Sequence, residues 1–418
     1  MKVVRPAVAV FSLLFPSEAQ PQAGLFIRER MFRMATRCRV VIVSPLPWFP
    51  FQGLIRRFRP HFRPPAPRFE EQEGIEIHRP RFLSVPGVFK TLDGLLLALG
   101  SYATFRRLKQ RDRVQVIDAH FAYPDGFAAA LIGRWLGLPV CVTLRGTEVR
   151  FARNIAFSRR IRRALQCATR VFSVSQSLAD LAVGLGISSD KITVVPNGVD
   201  LEVFHPVDRN TARRDLDLPL DARILVSVGA LVERKGFHRV IELLPRLRER
   251  FPQICYLIVG GPSPEGDWSA RLHALIARLG VADCVRFTGP LPPAMLKGPL
   301  SAGDVFVLST RNEGWANVFL EAMACGLPVV TTDVGGNREV VCRPELGTIV
   351  PFGDSESLFQ ALSDALIRRW DRGALLGHAA ANDWNERVER LETAFTQIVN
   401  FPGSGWERRS ALASGKRQ

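Results

Sequence analysis

Short apolar runs alternate with helical stretches twice along this chain of 418 residues. Such runs are typical of parallel strands that are covered on both faces. Parallel strands need a crossover between them, and the crossover is usually a helix, so the alternation predicts two doubly wound α/β domains. The predicted strands lie at residues 7–11, 40–43, 114–117, 140–143, 171–174 and 192–195 in the first half, and at 224–228, 255–259, 285–287, 305–308, 329–331 and 348–350 in the second.

The boundary between the two halves is predicted near the Asn197-Gly198 turn, which is followed by a linker that contains Pro206. We therefore assign residues 1–205 to an N-terminal domain and residues 206–382 to a C-terminal domain. The last amphipathic stretch comes after the second sheet is complete. It is assigned to a separate helix at 383–400, and residues 401–418 are predicted to be a disordered tail.

Two glutamates, Glu313 and Glu321, lie on either side of a predicted loop-to-helix junction in the second half. If the helix begins near Ala316, its free N–H groups and the positive end of its dipole can hold a phosphate. Carboxylates beside a phosphate site suit a ligand with hydroxyl groups, such as a nucleotide sugar. The alternative is an ordinary surface loop followed by a glutamate on a helix face.

The run EGWANVFLEAMACGLPVV at residues 313–330 resembles the signature of the retaining family 4 glycosyltransferases. That signature has two glutamates separated by seven residues, then a helix of small residues and the pattern GxPVV. The resemblance covers nearly the whole chain and is weakest over residues 50–110. It implies the GT-B fold, which has two facing Rossmann-like domains and a C-terminal helix that crosses back to the first. By the same resemblance, the domain at residues 1–205 would bind the acceptor and the domain at residues 206–382 would bind the nucleotide sugar.

The resemblance also implies roles for residues of this run. Glu313 would contact the donor sugar, and Glu321 would contact the donor ribose. The main-chain amides of Ala316, Asn317 and Val318 would bind the diphosphate.

A glycine and two cations follow the first predicted strand of the second half, in the sequence VSVGALVERKG. Gly229 lets the backbone approach a phosphate, and Arg234 and Lys235 can neutralise charge on a leaving diphosphate. Many family members have arginine directly after this glycine, where this chain has Ala230. The resemblance matches Lys235 to the family lysine, and we expect Arg234 to supply the missing charge. An exposed basic turn is the alternative.

Three loops of the first half resemble family loops. His120 follows a strand at the edge where α/β proteins bind ligands, and the resemblance implies that it contacts the donor sugar. Arg145 and Glu148 replace the His-Gly and Asp of many relatives, which suggests a variant loop that contacts an acidic acceptor. Gly24 lies in a loop similar to the one that faces the donor phosphate, although a plain turn is an alternative.

Other residues complete the predicted site. Gly289 and Leu291 lie where relatives contact the nucleotide base through the main chain, so their side chains do not identify the base. The loop at residues 335–339 resembles one at the rim of the sugar pocket. Asp215 and Asp217 have the spacing of a metal-binding pair, but we interpret them as solvated charge. We expect no metal and no other cofactor, because cations and a helix N-terminus can stabilise the diphosphate.

The positive charge of the chain is concentrated in its first half. The formal net charge is +16, of which residues 1–205 hold +15 (30 Lys and Arg against 15 Asp and Glu). This charge could attract nucleic acid or an anionic membrane surface, or it could be compositional, since arginine supplies 49 of the 56 basic residues. No zinc-finger, RNP-type or KH-type motif accompanies the charge, so we expect an anionic membrane surface and no nucleic acid.

The cysteines and apolar segments bear on the compartment. Seven scattered cysteines without a CxxC pair argue for a reducing environment. The apolar run at residues 8–15 resembles a weak signal peptide, but it is short and we interpret it as the first strand. Residues 92–105 are too few to span a bilayer, so no transmembrane helix is predicted. We expect a cytoplasmic protein, peripheral at the inner face of the membrane.

These features predict a retaining, metal-independent glycosyltransferase of the hexosyltransferase type. It would transfer a sugar from a nucleotide diphosphate donor to a hydroxyl of a lipid-linked or saccharide acceptor, in cell-surface polysaccharide or glycolipid synthesis. The alternatives are a nucleotide-sugar epimerase or phosphorylase, and a non-catalytic or nucleic-acid-binding protein on the same fold. The sequence does not indicate the sugar, the base, the linkage or the oligomeric state.

Overall fold

The computed structural model describes residues 5–58, 62–263 and 265–400, so the tail predicted at 401–418 lies outside the described residues. The chain forms two compact units. The first contains the chain up to Asn197 together with the chain from Asn385 onward, and the second is Gly198–Trp384. The division between the two units lies between Asn197 and Gly198.

The first unit contains an eight-stranded sheet and a separate two-stranded sheet. The eight strands are parallel except for the pair β4–β5, which is antiparallel at one edge. The strand order is β10-β9-β8-β7-β1-β2-β5-β4, and β3 pairs with β6. The strands are β1 (Ala7–Phe11), β2 (Arg39–Val43), β3 (Leu46–Trp48), β4 (Phe69–Gln72), β5 (Ile75–His78), β6 (Arg81–Leu83), β7 (Val116–His120), β8 (Val140–Leu144), β9 (Arg170–Ser173) and β10 (Ile192–Val194).

Helices connect the parallel strands of this unit. They are α1 (Leu25–Ala35), α2 (Gln52–Phe58), α3 (Asp93–Arg111), α4 (Phe127–Leu136), α5 (Thr147–Phe151), α6 (Ile155–Cys167) and α7 (Gln176–Gly184).

The second unit is a six-stranded parallel sheet with the order β13-β12-β11-β14-β15-β16. This is the classic Rossmann order, with its topological switch point between β11 and β14. The strands are β11 (Arg223–Val228), β12 (Ile254–Val259), β13 (Val285–Gly289), β14 (Val305–Leu308), β15 (Val329–Thr332) and β16 (Gly347–Val350). The helices are α8 (Arg209–Asp215), α9 (Phe237–Ile241), α10 (Leu244–Arg250), α11 (Ser269–Leu279), α12 (Lys297–Ala302), α13 (Asn317–Ala324), α14 (Asn337–Val340), α15 (Ser355–Ile367) and α16 (Arg372–Ala380).

Strand β14 shows why the strands of the second unit are continuous apolar runs. Phe306 and Leu308 belong to one buried cluster, whereas Val305 and Val307 belong to another. Successive side chains of a strand point to opposite faces, so a sheet with apolar packing on both faces needs apolar residues at every position. The predicted α/β class with parallel sheets is confirmed.

The last helix, α17 (Trp384–Asn400), packs on the first unit almost from its start. Val388, Leu391 and Phe395 are buried in the cluster that contains residues of β1 and β2. The Phe395 ring meets the Phe172 ring edge-on at 5.7 Å. The apolar face of the helix therefore completes the core of the first unit.

Residues 237–250 form two helices, α9 and α10, rather than one. Residues 50–110, over which the resemblance is weakest, contain helix α2, the β4–β5 hairpin, strand β6 and most of the long helix α3. In the part of the chain that the structure describes, none of the helices combines the length and apolar character needed to cross a membrane.

Candidate active site

The two cations predicted to bind phosphate lie at the switch point of the second unit. Gly229 directly follows β11, and a β-carbon at this position would lie 3.5 Å from Lys235 Cε. Arg234 and Lys235 form a 3-10 turn, and the next residue, Gly236, has a φ of +78°. A β-carbon on Gly236 would lie 1.9 Å from the carbonyl oxygen of Ser309, so only glycine fits there. The glycine holds the basic turn against the end of β14.

Glu313 lies within hydrogen-bond distance of both cations. Its Oε1 accepts from Lys235 Nζ at 2.6 Å, from Arg234 Nη1 at 3.2 Å and from Thr310 Oγ1 at 3.2 Å. The Glu313 side chain is 10% exposed, so these charge-assisted bonds are largely shielded from water. The structure therefore brings together three of the predicted residues in one network.

A second carboxylate competes for Arg234. Glu265 accepts from Arg234 Nε and from Nη2, both at 3.0 Å. Glu265 is 44% exposed and lies in the turn closed between Ser263 and Gly266. Neither Glu265 nor Thr310 was predicted to lie in the site. The sequence separates Glu265 and Arg234 by 31 residues, so only the tertiary fold makes them neighbours.

The predicted helix start near Ala316 is confirmed, because Ala316 is the N-cap of α13. Alanine has no side-chain oxygen, and no side chain caps this end of the helix. The first turn also carries no acidic residue. An N-terminus of this kind presents N–H groups and positive dipole charge to an anion. Asn317 and Val318 form its first turn, and Glu321 lies one turn further on, where it is partly buried.

The loop after β15 supports Glu313 through the backbone. Gly335 has a φ of +54°, and a β-carbon there would lie 1.8 Å from the carbonyl oxygen of Glu313. Gly289 ends β13, and its carbonyl oxygen accepts from Gly260 N at 3.0 Å. Leu291 packs against one face of the second unit's core. Gly289, Leu291 and Gly335 all lie at or just beyond the carboxyl ends of parallel strands, on the same side of the sheet.

In the first unit, His120 is the last residue of β7 and is fully buried. Its Nδ1 lies 2.9 Å from Arg145 Nη2 and accepts from Arg145 Nε at 3.2 Å. Its Nε2 lies 3.4 Å from Asp118 Oδ2. The ring is therefore enclosed by its own unit, whereas the strand-end position had suggested a side chain that faces ligand directly.

Arg145 is also inside the unit rather than at its surface. Its Nη1 donates to Asn197 Oδ1 at 2.7 Å, and its guanidinium lies 5.2 Å from the centre of the Phe26 ring. The predicted contact with an acidic acceptor thus has no exposed guanidinium to make it. Glu148, the second departure from the family pattern, accepts from the backbone N–H groups of Arg145 and Gly146 and fixes the loop.

Burial and charge determine the protonation of His120. Burial is the main cause that lowers the pKa of His120 to about 4; the Asp118 charge opposes this change, and the Arg145 charge adds to it. The imidazole is therefore neutral near pH 7. Because Nδ1 accepts from Arg145, the ring proton lies on Nε2, towards Asp118.

Gly24 closes the loop after β1. It has a φ of +72°, and a β-carbon there would lie 2.5 Å from the carbonyl oxygen of Leu14. The position therefore requires glycine. Strand β1 lies beside β7 at the centre of the sheet, so Gly24 and His120 both follow strands at the switch point of the first unit.

Asp125 makes the stability of the first unit depend on pH. The carboxyl is buried, its Oδ1 accepts from Leu13 N at 2.6 Å, and burial raises its pKa to about 8 from an ordinary 3.8. Because the pKa of Asp125 is higher in the folded state, its contribution to the free energy of unfolding is full below about pH 3.8. This contribution is lost as the pH rises to about 8. Asp125→Asn should remove this loss. We expect the variant to exceed wild type by at least about 1 kcal/mol at pH 8 and to match it near pH 4.

Urea unfolding at the two pH values measures this difference. The same pH dependence in both proteins would contradict a neutral Asp125 in the folded state. Asp180→Asn, at an exposed position, serves as a control that should leave the pH dependence unchanged.

Over residues 5–58, 62–263 and 265–400, no cluster of three or more His, Cys, Asp or Glu side chains is placed to hold a metal ion. The charged groups that do converge are Arg234, Lys235 and Glu313, beside the uncapped start of α13.

Two family models match the chain. Residues 208–383 match the model described as glycosyl transferases group 1, and residues 52–203 match the model of glycosyltransferase family 4. The two matches together span most of both units.

Two relatives show the range of similarity. The chain is 28% identical over 384 residues to TuaC from Bacillus subtilis, to which a glycosyltransferase role in teichuronic acid biosynthesis is attributed. That alignment covers 90% of this chain and 92% of TuaC. The chain is 33% identical over 254 residues to a D-inositol 3-phosphate glycosyltransferase from Corynebacterium urealyticum, covering 58% of this chain and 60% of the relative.

A solved structure shares the fold. The complex of Anabaena Alr3699/HepE with UDP and glucose superposes with a TM-score of 0.69 at 18% sequence identity. The superposition covers 94% of this chain and 100% of the Anabaena chain.

Proposed function

The chain belongs to the group 1 and family 4 glycosyltransferases, and we propose that it is a retaining enzyme that transfers a sugar from a nucleotide diphosphate donor. The family makes glycosyl transfer the reaction class, and an epimerase or a non-catalytic protein is not favoured. We further propose that the enzyme is of the hexosyltransferase type and that an acceptor hydroxyl takes the sugar. The observation that carries the proposal is the Lys235–Glu313–Arg234 network beside the uncapped N-terminus of α13.

The second unit would bind the donor. The amides of Ala316, Asn317 and Val318 would hold the diphosphate together with Arg234 and Lys235, and Glu321 would accept from the ribose hydroxyls. Gly229 leaves room for the phosphate beside Lys235, and Gly289 and Leu291 would border the nucleotide base. Anabaena HepE was solved with UDP and glucose, so UDP-glucose is the first donor to test.

Glu313 would orient the transferring sugar through its hydroxyl groups. In the structure, the Glu313 carboxylate neutralises the same cations that a diphosphate would need. Diphosphate binding therefore releases Glu313 from part of this network, and the carboxylate can then accept from sugar hydroxyls. Arg234 and Lys235 would thus pair with the Glu313 carboxylate before the donor binds and with the leaving diphosphate afterwards.

We propose that transfer needs no metal, because two cations and a helix dipole can stabilise the leaving diphosphate. With retention, the acceptor hydroxyl attacks on the face that the diphosphate leaves, and the departing phosphate oxygen can take its proton. No side chain is then needed as a base. The anomeric configuration of the product, determined by NMR, tests retention; an inverted product would overturn it.

In the first unit, we propose that His120 contributes as a neutral imidazole. Arg145 would act by holding the ring in one tautomer, rather than by contacting an acceptor. Gly24 would place the loop after β1 near the donor phosphates. Direct contact between His120 and the sugar requires the Arg145 side chain to move, because the ring is buried.

The acceptor is proposed to be lipid-linked or a growing saccharide. The role attributed to TuaC supports a cell-surface polysaccharide, and the basic first half of the chain supports an anionic surface as partner. We propose a cytoplasmic enzyme at the inner face of the membrane. No nucleic acid partner is proposed.

Thermal unfolding with a panel of nucleotide sugars tests the donor proposal. A ligand that binds only the folded state raises the midpoint, by an amount equivalent to about 2.7 kcal/mol at a hundredfold excess over Kd. We expect one nucleotide sugar to do so in wild type and to have a much weaker effect in Glu321→Ala. Glu345→Ala, at an exposed position outside the proposed donor site, serves as the matched control. A panel without any effect would contradict the donor class.

The release of nucleotide diphosphate separates transfer from epimerisation. A transferase releases the diphosphate in proportion to the acceptor consumed, whereas an epimerase releases none.

A further inference from the structure

Exposed apolar side chains are concentrated in one part of the first unit. Among the described residues, twenty large apolar side chains are exposed, and twelve of them lie between residues 48 and 99. Phe51 and Phe58 are 81% and 87% exposed. We call this set the apolar patch; it consists of Trp48, Phe51, Leu54, Phe58, Phe69, Leu83, Val85, Val88, Phe89, Leu92, Leu95 and Leu99. Single exposed apolar residues are ordinary, but such a concentration marks an interaction surface.

Two helices present much of this patch. Helix α2 has no buried residue, so it covers no core, and its last turn carries Arg56 and Arg57. Helix α3 buries one face, while Leu92, Leu95 and Leu99 recur at helical spacing on another and remain exposed. The last turn of α3 carries Lys109 and Arg111, and Arg111 pairs with Glu76 and Asp112. Helix α2 therefore joins exposed apolar side chains to positive charge, and α3 contributes mainly apolar side chains.

A cleft lined by arginines adjoins the apolar patch. Its volume is about 500 Å³, and Arg68, Arg81 and Arg107 line it without an ion pair or side-chain hydrogen bond to any described residue. Phe69 of the patch also lines it. A smaller neighbouring cleft shares Arg68 and Arg81 and is lined by Trp48 and Leu83 of the patch. The arginine clefts thus directly adjoin Trp48, Phe69 and Leu83 of the patch.

Arg79, at the base of the larger cleft, has unused hydrogen-bonding capacity. The side chain is 1% exposed, and its Nη2 donates to Pro16 O at 2.8 Å and to Glu70 Oε1 at 2.7 Å. Its Nη1 is buried and has no partner among the described residues. None of the described residues that line the cleft is acidic, although Glu70 pairs with Arg79. A buried donor without a partner costs free energy unless a ligand accepts from it.

We propose that the apolar patch and the arginine cleft together dock the protein on an anionic lipid bilayer. The exposed apolar side chains of α2 and α3 enter the boundary between headgroups and acyl chains. Arg68, Arg81 and Arg107 bind the phosphate of a lipid headgroup in the cleft, where Arg79 adds its unpartnered N–H.

Charge complementarity selects a bilayer over a protein as the occupant. An interfacial surface combines aromatic and aliphatic side chains with Lys and Arg, and anionic lipids attract it. The apolar patch lies in the half of the chain that holds +15 of the +16 net charge. Docking does not require the proposed transfer reaction. Net charge alone does not say which side chains contact the membrane, whereas this proposal names them.

Sedimentation with lipid vesicles tests the apolar contribution. Wild type is expected to bind phosphatidylcholine vesicles that contain phosphatidylglycerol, and to retain part of this binding at high salt. Replacing three patch residues by serine leaves the net charge unchanged and is expected to lower the partition coefficient at least about tenfold at high salt. The changes are Phe58→Ser, Leu95→Ser and Leu99→Ser. The matched control changes three exposed apolar residues of the second unit: Leu220→Ser, Met295→Ser and Ile367→Ser.

The arginine cleft has its own pair of variants. Arg68→Gln, Arg81→Gln and Arg107→Gln together are expected to lower the partition coefficient about a hundredfold at low salt. The control removes the same charge from the second unit, through Arg214→Gln, Arg278→Gln and Arg343→Gln. If the partition coefficient fell equally in the cleft variant and its control, net charge alone would explain the binding, and the proposal would be overturned. Absence of wild-type binding to anionic vesicles at low salt would overturn it as well.

Two further measurements keep docking separate from catalysis. Free pyrophosphate at a concentration that saturates phosphate sites should not displace wild type from vesicles, because the apolar contacts remain; full displacement would indicate a site for soluble phosphate and contradict docking. Lys235→Ala should bind vesicles as wild type does, whether or not it transfers sugar. Failure of the transfer reaction therefore leaves the docking result intact, and the reverse also holds.

Discussion

Replacement of Lys235 by alanine is expected to lower kcat/KM for sugar transfer by at least about a thousandfold. Lys235 Nζ lies 2.6 Å from Glu313 Oε1, and its aliphatic chain lies over Gly229. The side chain is 16% exposed, so its charge acts through a weakly screened environment. Negative charge on the diphosphate increases as it leaves. The Lys235 ammonium would therefore stabilise the transition state more than the ground state. Steady-state release of nucleotide diphosphate in the presence of acceptor measures the loss.

A matched lysine controls for the loss of charge. Lys297 belongs to the same unit and lies 3.0 Å from His205 Nε2, outside the Lys235–Glu313 network. Lys297→Ala should keep transfer within a few-fold of wild type. A folded Lys235→Ala enzyme with activity within tenfold of wild type would contradict the role of Lys235 in the leaving-group site. Glu313→Ala should show a similarly large loss, because the sugar would lose its carboxylate partner.

Replacement of Gly335 by alanine is expected to lower kcat/KM at least about a hundredfold, although Gly335 has no side chain in the site. A β-carbon there would lie 1.8 Å from the carbonyl oxygen of Glu313, and φ is +54°. Backbone atoms cannot approach so closely, so the loop that carries Glu313 would move by more than about 1 Å. A displacement of that size in a residue that orients the sugar costs about two orders of magnitude in rate.

Gly353→Ala provides the comparison for Gly335→Ala. Gly353 also has a positive φ, +88°, but a β-carbon there would have no atom within 4 Å. Both variants share the cost of a left-handed alanine, about 1–2 kcal/mol, and only Gly335→Ala adds the contact with Glu313. Thermal unfolding measures the shared cost, and activity per folded molecule measures the displacement. Equal activities in the two variants would show that Glu313 does not depend on this contact.

The second unit was predictable because its signals are local. Its strands are buried on both faces, so each is a continuous apolar run, and glycines mark the turns that follow β11 and β15. The start of α13 follows from the same run that carries Glu313 and Glu321. The positions of main-chain groups in such turns depend mostly on neighbouring residues, so a single sequence is sufficient to predict them.

Residues 50–110 were not predictable for the opposite reason. Strands β4, β5 and β6 are three or four residues long, and the antiparallel β4 lies at a sheet edge. Helix α3 keeps Leu95 and Leu99 exposed, so its apolar residues do not form one buried stripe. Prediction from amphipathic periodicity assumes that apolar residues face a core and polar residues face solvent. When apolar residues also face solvent, the pattern no longer distinguishes buried from exposed positions.

The first unit also shows the limit of motif matching for His120 and Arg145. The motif places His120 at a strand end but does not give its accessibility. Burial depends on Arg145 and Asn197, whose contacts with each other join positions 52 residues apart. The sequence suggested an acceptor contact for Arg145, whereas the structure places its guanidinium on His120.

By itself the sequence determined the α/β class, the two largely parallel sheets and the positions of the carboxylates and cations along the chain, because burial on both faces of a sheet leaves a local pattern. The tertiary structure alone decided that Arg234 is shared between Glu313 and Glu265, that His120 is enclosed, and that the apolar residues of α2 and α3 face outward. Each of these depends on contacts between segments distant in sequence. Local periodicity contains no information about which distant charges neutralise each other or which apolar face is left uncovered.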